Sequence, residues 1–127
     1  MPANAQESMI WTKNATKRTL SLVFDEGDDV LAGLLSAMTE HRIADASIVE
    51  VNGKLKGGLG NYMMGSRLLS FNFSDTHVKT GTGHFKRSKD GLFGVLKVIP
   101  SDDNNMVTIA KGIAGQDFQI QLSYYEF

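Results

Sequence analysis

Apolar and polar residues alternate along two segments of the chain, and this alternation predicts strands. The segments are "RTLSLVFD" near the start and "DFQIQLSYYEF" at the end. Successive side chains of a strand point to opposite faces, so the apolar members of each segment are expected to face the core. They are Leu20, Leu22, Phe24, Phe118, Ile120, Leu122 and Tyr124.

Further strands are predicted between these two. The segments "ASIVEVNG", "RLLSFNFS" and "HVKTGTGHFKR" are separate strand candidates, and "MVTIAKGIAG" follows the turn-like "SDDNN". The segment "GLFGVLKVIP" is almost continuously apolar, which is typical of a strand that is buried on both faces.

One stretch carries a helical period. Apolar residues recur at the spacing of a single helix face, with Asp28 as the predicted N-cap and His41 at the C-terminal end. These apolar residues are Val30, Leu31, Leu34, Leu35 and Met38. The pattern predicts an α+β fold: one amphipathic helix packed on a mostly antiparallel, strongly twisted sheet. Residues 17–127 form a single domain, and residues 1–16 form an N-terminal arm with Trp11 as a candidate anchor.

The glycine-rich stretch "IVEVNGKLKGGLGNY" has two interpretations, a phosphate cradle or a tight turn between strands. A P-loop requires a hydroxyl residue after the lysine and a helix thereafter, but Leu55 follows Lys54 and a strand pattern follows Leu55. The turn is therefore favoured. It places Gly53 in the turn and leaves glycines 57, 58 and 60 within the next strand.

Composition narrows the functional classes. The chain has 127 residues, 42% of them hydrophobic, and no cysteine, so disulfides and thiolate metal sites are excluded. Its apolar runs are shorter than the roughly 18–20 residues that cross a bilayer, and its first segment is polar. We expect a cytoplasmic protein without a membrane partner. No cofactor, catalytic residue or metal site is predicted.

Charge is unevenly distributed, although the net charge is only −1. Residues 47–100 carry eight basic and three acidic side chains, a net of +5, between two acidic segments. The candidate nucleic-acid or anion contacts in this segment are Lys54, Lys56, Lys86, Arg87 and Lys89. The competing interpretation of "HFKRSKDG" is a solvated hairpin loop.

The remaining candidates concern a pocket. Lys79 and His84 are candidate pocket residues for a small anionic ligand. His77 and His84 are seven residues apart, so a regular strand would point them in opposite directions. Neither this spacing nor the acidic "DEGDD" indicates a metal site, since acidic residues before a helix are usually caps.

The order of elements from Thr19 onward resembles the plants-and-prokaryotes-conserved (PPC) domain. Four segments carry the resemblance: "LSLVFDEGDDVLAGLLSAMTEHRI", "ASIVEVNGKLKGGLGNY", "VKTGTGHF", and "GLFGVLKVIPSDDNNMVTIAKGIAG" with "FQIQLSY". The resemblance implies an α+β fold, a homotrimer, and a non-enzymatic, DNA-associated or regulatory role.

The chain departs from this family in two ways. Many prokaryotic members carry an H-x-H-x-H-like stretch where this chain has "LFGVLK", and no AT-hook is present. Three functions remain open at this point: nucleic-acid binding by a trimer, a pocket for a small anion or an enzyme active site at the trimer interface, and a purely structural oligomerisation module.

Overall fold

The computed structural model describes residues 16–101 and 105–126. Its elements are β1 (Thr16–Val23), α1 (Val30–Glu40), β2 (Asp45–Met64), β3 (Arg67–Ser88), β4 (Gly91–Pro100), β5 (Val107–Ala114) and β6 (Gln119–Glu126). Most of the predicted arm, including Trp11, and most of the "SDDNN" turn lie outside the described residues.

The six strands form one sheet in the order β1-β6-β2-β3-β4-β5. Every strand pairing in it is antiparallel, and an additional pairing of β2 with β5 closes part of the sheet on itself. One helix packs on this twisted sheet, which confirms the α+β prediction. No helix among the described residues is long and apolar enough to cross a membrane.

The helix and the sheet enclose the core through the predicted apolar faces. From α1, Val30, Leu34 and Met38 are fully buried. Ile120 and Leu122 of β6 are also buried, as is Phe118 just before this strand. The N-cap is one residue later than predicted. Asp29 accepts a hydrogen bond from the Ala32 amide at 3.0 Å, whereas Asp28 accepts from the Asp25 amide at 2.9 Å.

The predicted turn at Gly53 is wrong, because β2 runs through this residue without reversing. Before it, β2 pairs with β6, and from Leu55 onward it pairs with β5. Gly53 has φ +101°, and the following residue bonds to the β5–β6 loop: the Lys54 amide donates to the Gln116 carbonyl at 3.0 Å. Asn-Gly, a common turn signal, here marks the point where one strand exchanges partners.

The segments predicted as two strands, around Phe71 and around His84, are also continuous and form β3. An irregularity in the β3–β4 register lies between Val78 and Thr80. It shifts the alternation, so that Val78 and Phe85 are both buried despite being seven residues apart. His77 and His84, which precede them, are therefore both exposed, and the prediction that they point in opposite directions is wrong.

Strand β4 is buried on one face only, which corrects the prediction of double burial. Leu96 and Val98 are fully buried, whereas Phe93 is 57% exposed and Val95 is 46% exposed. A continuous apolar run therefore covers the core with one set of side chains and presents the other set at the surface of this single chain.

We expect Gly53→Ala to lower the free energy of unfolding by more than about 2 kcal/mol. A Cβ atom at this residue would overlap the backbone of Asp117 and Phe118, and the positive φ disfavours any other residue. Gly57→Ala is the matched control, because nothing lies within 4 Å of its Cβ position, and its effect should stay within about 1 kcal/mol. Urea denaturation measures both variants. Equal stability of the two would contradict the role assigned to Gly53.

Candidate functional site

The sheet has a second face, turned away from the core, which we call the outer face. On β2, Ala46 and Ile48 are buried, so alternation directs Asp45 and Ser47 outward. On β3, Phe85 is buried, so His84 and Lys86 point outward. The β2–β3 register places Ser47 opposite His84, and Asp45 opposite Lys86. Polar residues far apart in sequence thus meet on adjacent strands.

Three of these side chains form a cluster, Asp45–His84–Ser47. The His84 Nε2 lies 2.6 Å from the Asp45 Oδ1, and the His84 Nδ1 lies 3.4 Å from the Ser47 Oγ. The histidine and aspartate side chains are 51% and 54% exposed. A pair this exposed contributes little to stability, and solvent or a ligand can reach both of its side chains.

The geometry offers binding groups more readily than a nucleophile. Ser47 lies within β2, not on a sharp turn that would project its hydroxyl, and the Ser47–His84 distance is long for a hydrogen bond. Among the described residues, no group of three or more histidine, aspartate or glutamate side chains is placed to hold a metal ion.

A cavity of about 320 Å³ opens beside the cluster. Strands β1, β6, β2 and β3 all contribute to its wall, which combines a cation, hydroxyls, aromatic rings and one apolar side chain. The lining residues are Lys17, Asp45, Ser47, Val49, His84, Ser123, Tyr124 and Tyr125. His84, a predicted pocket residue, therefore does line a cavity. Lys79, the other one, lies five residues away at the β3 irregularity.

The five predicted cation contacts fall at separate places. Lys54 lies opposite His77, and Lys86 lies nine residues further along β3, a separation of up to about 30 Å along the strand. Lys56 is close to Lys54 in β2, and Lys89 lies between β3 and β4. The two groups therefore do not form one continuous patch on this chain.

Arg87 contacts the connection between α1 and β2 through both its side chain and its backbone. Its Nε donates to the Ile43 carbonyl at 2.9 Å, and its amide donates to the Ala44 carbonyl at 2.8 Å. These bonds fasten the connection between α1 and β2 to the end of β3. One of the five N–H donors of this half-buried side chain is thus used inside the fold.

The sequence prediction missed Asp45, Ser47, Tyr124 and Tyr125 as site residues. The signal available was weak: "DAS" at the start of one strand and "GHF" near the end of another. Only a correct β2–β3 register brings these polar residues together, because they are separated by almost forty positions along the chain.

The fold is that of several solved structures. A PPC protein from Pyrococcus horikoshii matches with a TM-score of 0.67 and 15% identity, covering 89% of this chain and 82% of that chain. This chain has the fold of a PPC domain. A metal-containing protein from Archaeoglobus fulgidus matches with a TM-score of 0.69 and 12% identity over 86% and 80% of the two chains.

A candidate DNA-binding protein from Ralstonia eutropha also shares this PPC-like fold, with a TM-score of 0.63 and 15% identity over 84% and 76% of the two chains. No protein-family model and no curated protein sequence matches the chain. Identities this low establish the fold alone. The predicted resemblance to the PPC domain is thereby confirmed for the architecture.

We expect Arg87→Ala to lower the free energy of unfolding by about 1–2 kcal/mol, because the Ile43 carbonyl loses a hydrogen-bond donor. Lys86→Ala is the neighbouring control. Its side chain is exposed, so its effect should stay within about 0.5 kcal/mol. Chemical denaturation compares the two variants. If Arg87→Ala were as stable as Lys86→Ala, the structural role of the guanidinium would be refuted.

Proposed function

We propose that this chain is a non-enzymatic PPC-like domain that assembles into a homotrimer and acts in contact with DNA in the cytoplasm. The observation that carries the proposal is the shared fold with a PPC protein and with candidate DNA-binding proteins from Ralstonia eutropha and Bacteroides thetaiotaomicron. Features of this chain's own surface support the self-assembly and the contact with DNA.

Exposed apolar side chains support self-assembly. Phe93 and Val95 are about half exposed on β4, and Met63, Met64 and Leu68 are more than half exposed at the β2–β3 hairpin. Apolar surface of this kind is commonly covered by another subunit. A partner on the outer face would complete the burial of β4 that its continuous apolar sequence predicts.

Exposed cations support contact with an anionic polymer. Lys86 and Lys89 are exposed at the β3–β4 end of the sheet, and Lys56 is exposed on β2. Each can neutralise a backbone phosphate without a change in the core. Arg87 contributes chiefly by holding this end of the sheet in place, through its bond to Ile43.

A small anion is the second candidate partner. The cavity beside the Asp45–His84–Ser47 cluster combines the Lys17 ammonium with two serine hydroxyls, and it also contains the Asp45 carboxylate, which pairs with the His84 Nε2. The ammonium and the hydroxyls can bind a carboxylate or phosphate, and a trimer contact would enclose such a site further. A purely structural oligomerisation module is the third candidate, and the apolar surface alone supports it.

We expect light scattering to give three times the chain mass of 13.9 kDa. Val95→Asp should lower that mass, because a charge would be buried in the proposed interface. Gln116→Asp adds the same charge at an exposed loop residue and should leave the mass unchanged. A monomeric mass for the unmodified chain would refute the trimer. An unchanged mass for Val95→Asp would show that β4 is not part of the interface.

We expect fluorescence anisotropy to detect duplex DNA binding that weakens as salt is added. Replacing Lys86 and Lys89 by glutamine should reduce the slope of log affinity against log salt by roughly 2 for each copy that contacts the duplex, about 0.9 per lost phosphate contact. Lys111→Gln, at an exposed residue of β5, is the single-charge control and should leave the slope unchanged.

No binding at low salt, or an affinity that ignores salt, would refute the phosphate contacts. The same samples can be tested by thermal shift with inorganic phosphate and citrate. Stabilisation by these anions, together with no DNA binding, would favour the small-anion function instead.

A further inference from the structure

Three polar side chains from neighbouring strands lie in one row across the outer face, which we call the Lys54–His77–Ser101 row. Lys54 of β2 lies directly opposite His77 of β3. The Ser101 amide, just beyond the end of β4, donates to the His77 carbonyl at 2.8 Å and continues the β3–β4 pairing by one residue. His77 is seven residues along β3 from His84, a distance of roughly 20 Å. The row is therefore separate from the Asp45–His84–Ser47 cluster.

Backbone pairing brings the Lys54 and His77 side chains close together. Their sequence neighbours Leu55 and Val78 are fully buried, so alternation turns both side chains toward the outer face. The amide and the carbonyl of Lys54 both bond to the β5–β6 loop, on the side away from β3. Lys54 and His77 thus share no backbone hydrogen bond. In pairs of this kind the side chains are closest, with Cβ atoms about 5 Å apart.

The contact between His77 and Ser101 determines which ring nitrogen can donate. The His77 Nδ1 lies 2.6 Å from the Ser101 Oγ. When the hydroxyl donates to Nδ1, the proton of the neutral ring is on Nε2, which then becomes a donor. In the part of the chain that the structure describes, neither this Nε2 nor the Lys54 ammonium has a hydrogen-bond or ion-pair partner. Two free donors, one of them charged, therefore lie on adjacent strands.

The charges around the row favour a small anion over a polymer. An ammonium and an imidazole N–H are both suitable donors to the oxygen atoms of one phosphate group. Asp75 lies two residues before His77, and Asp117 follows the Gln116 carbonyl that accepts from the Lys54 amide. Both aspartates are exposed. A duplex laid along the row would bring further phosphates near these carboxylates, whereas a single phosphate group bridging the two donors need not approach them.

We propose that the Lys54–His77–Ser101 row binds one phosphate group, either as inorganic phosphate or as the phosphate of a small monoester. The Lys54 ammonium supplies the charge, and the His77 Nε2–H donates a directed hydrogen bond. Ser101 is a positioning residue, because its hydroxyl holds the ring tautomer in which Nε2 donates. Phosphate binding at this row requires neither DNA nor a trimer.

Nuclear magnetic resonance of the ¹⁵N-labelled full chain tests the site, because the chain has only three histidines whose ring signals must be separated. At fixed pH and ionic strength, we expect inorganic phosphate to shift the His77 Nε2 signal saturably and to leave the His41 and His84 signals unchanged. A parallel titration with glycerol 3-phosphate distinguishes the two sources. Tighter binding of the ester would identify a monoester as the ligand, and equal binding would identify the phosphate group alone.

Variants assign the role of each residue. Lys54→Gln should weaken phosphate binding at His77 roughly tenfold, because a charged hydrogen-bond donor is lost. Ser101→Ala should weaken it roughly threefold, and Ser101→Thr, which keeps a hydroxyl, should restore it. Lys86→Gln is the matched control. It removes the same charge from the outer face nine residues further along β3 and should leave the affinity unchanged.

Circular dichroism establishes that the variants are folded, since none replaces a buried residue. The absence of a saturable shift at His77 would overturn the proposal. So would equal weakening by Lys54→Gln and Lys86→Gln, because attraction by the overall charge would then explain the binding. A saturable shift at His84 with none at His77 would place the phosphate in the cavity beside the Asp45–His84–Ser47 cluster. That result would overturn the present site and support the small-anion function instead.

Discussion

The exchange of partners by β2 at Gly53 is the constraint on which the remaining sheet depends. Up to Asn52 the strand pairs with β6, and from Leu55 onward it pairs with β5. Between them, Lys54 bonds to the β5–β6 loop through both its amide and its carbonyl. Strand β2 is therefore shared by two parts of the sheet. In the open part it pairs with β6, which in turn pairs with β1. In the closed part, the β2–β5 pairing completes a ring of β2, β3, β4 and β5. A side chain at residue 53 would occupy the space of the loop backbone, so only glycine permits the exchange.

The same pairing sets the chemistry of the outer face. In the open part, β2 lies between β6 and β3, and a shift of one residue in either register would turn Asp45 and Ser47 toward the core. An irregularity in the β2–β6 pairing falls between Ile48 and Glu50, and Val49 lies exposed within it. The position of the polar cluster and of its apolar neighbour therefore follows from backbone pairing. No short motif in the sequence encodes it.

The sequence predicts best those elements whose one buried face imposes a period. The helix and the alternating strand from Phe118 to Leu122 are examples, since burial of one face requires alternation or a helical stripe. Prediction of the turn from the sequence fails at Asn52-Gly53, because a hairpin turn and a change of strand partner both use a positive φ that glycine supplies. The Asp45–His84 contact was not predictable either, since it depends on a long-range register. The fold class could thus be predicted from the sequence, whereas the site could be identified only from the three-dimensional structure.

Consecutive cations in a sequence do not by themselves make a binding surface. Alternation turns Lys86 outward and Arg87 toward the Ile43 carbonyl, so these two consecutive cations point to opposite sides of β3. Lys54 and Lys56 lie on β2, up to about 30 Å away in the strand direction. Because each phosphate contact adds only a modest, salt-sensitive increment, a single copy offers a weak surface for DNA. Three copies would present three such sets to one duplex, and linked sites bind more tightly than separate ones when geometry allows simultaneous contact. Under the proposed function, self-assembly would therefore be the step on which nucleic-acid binding depends.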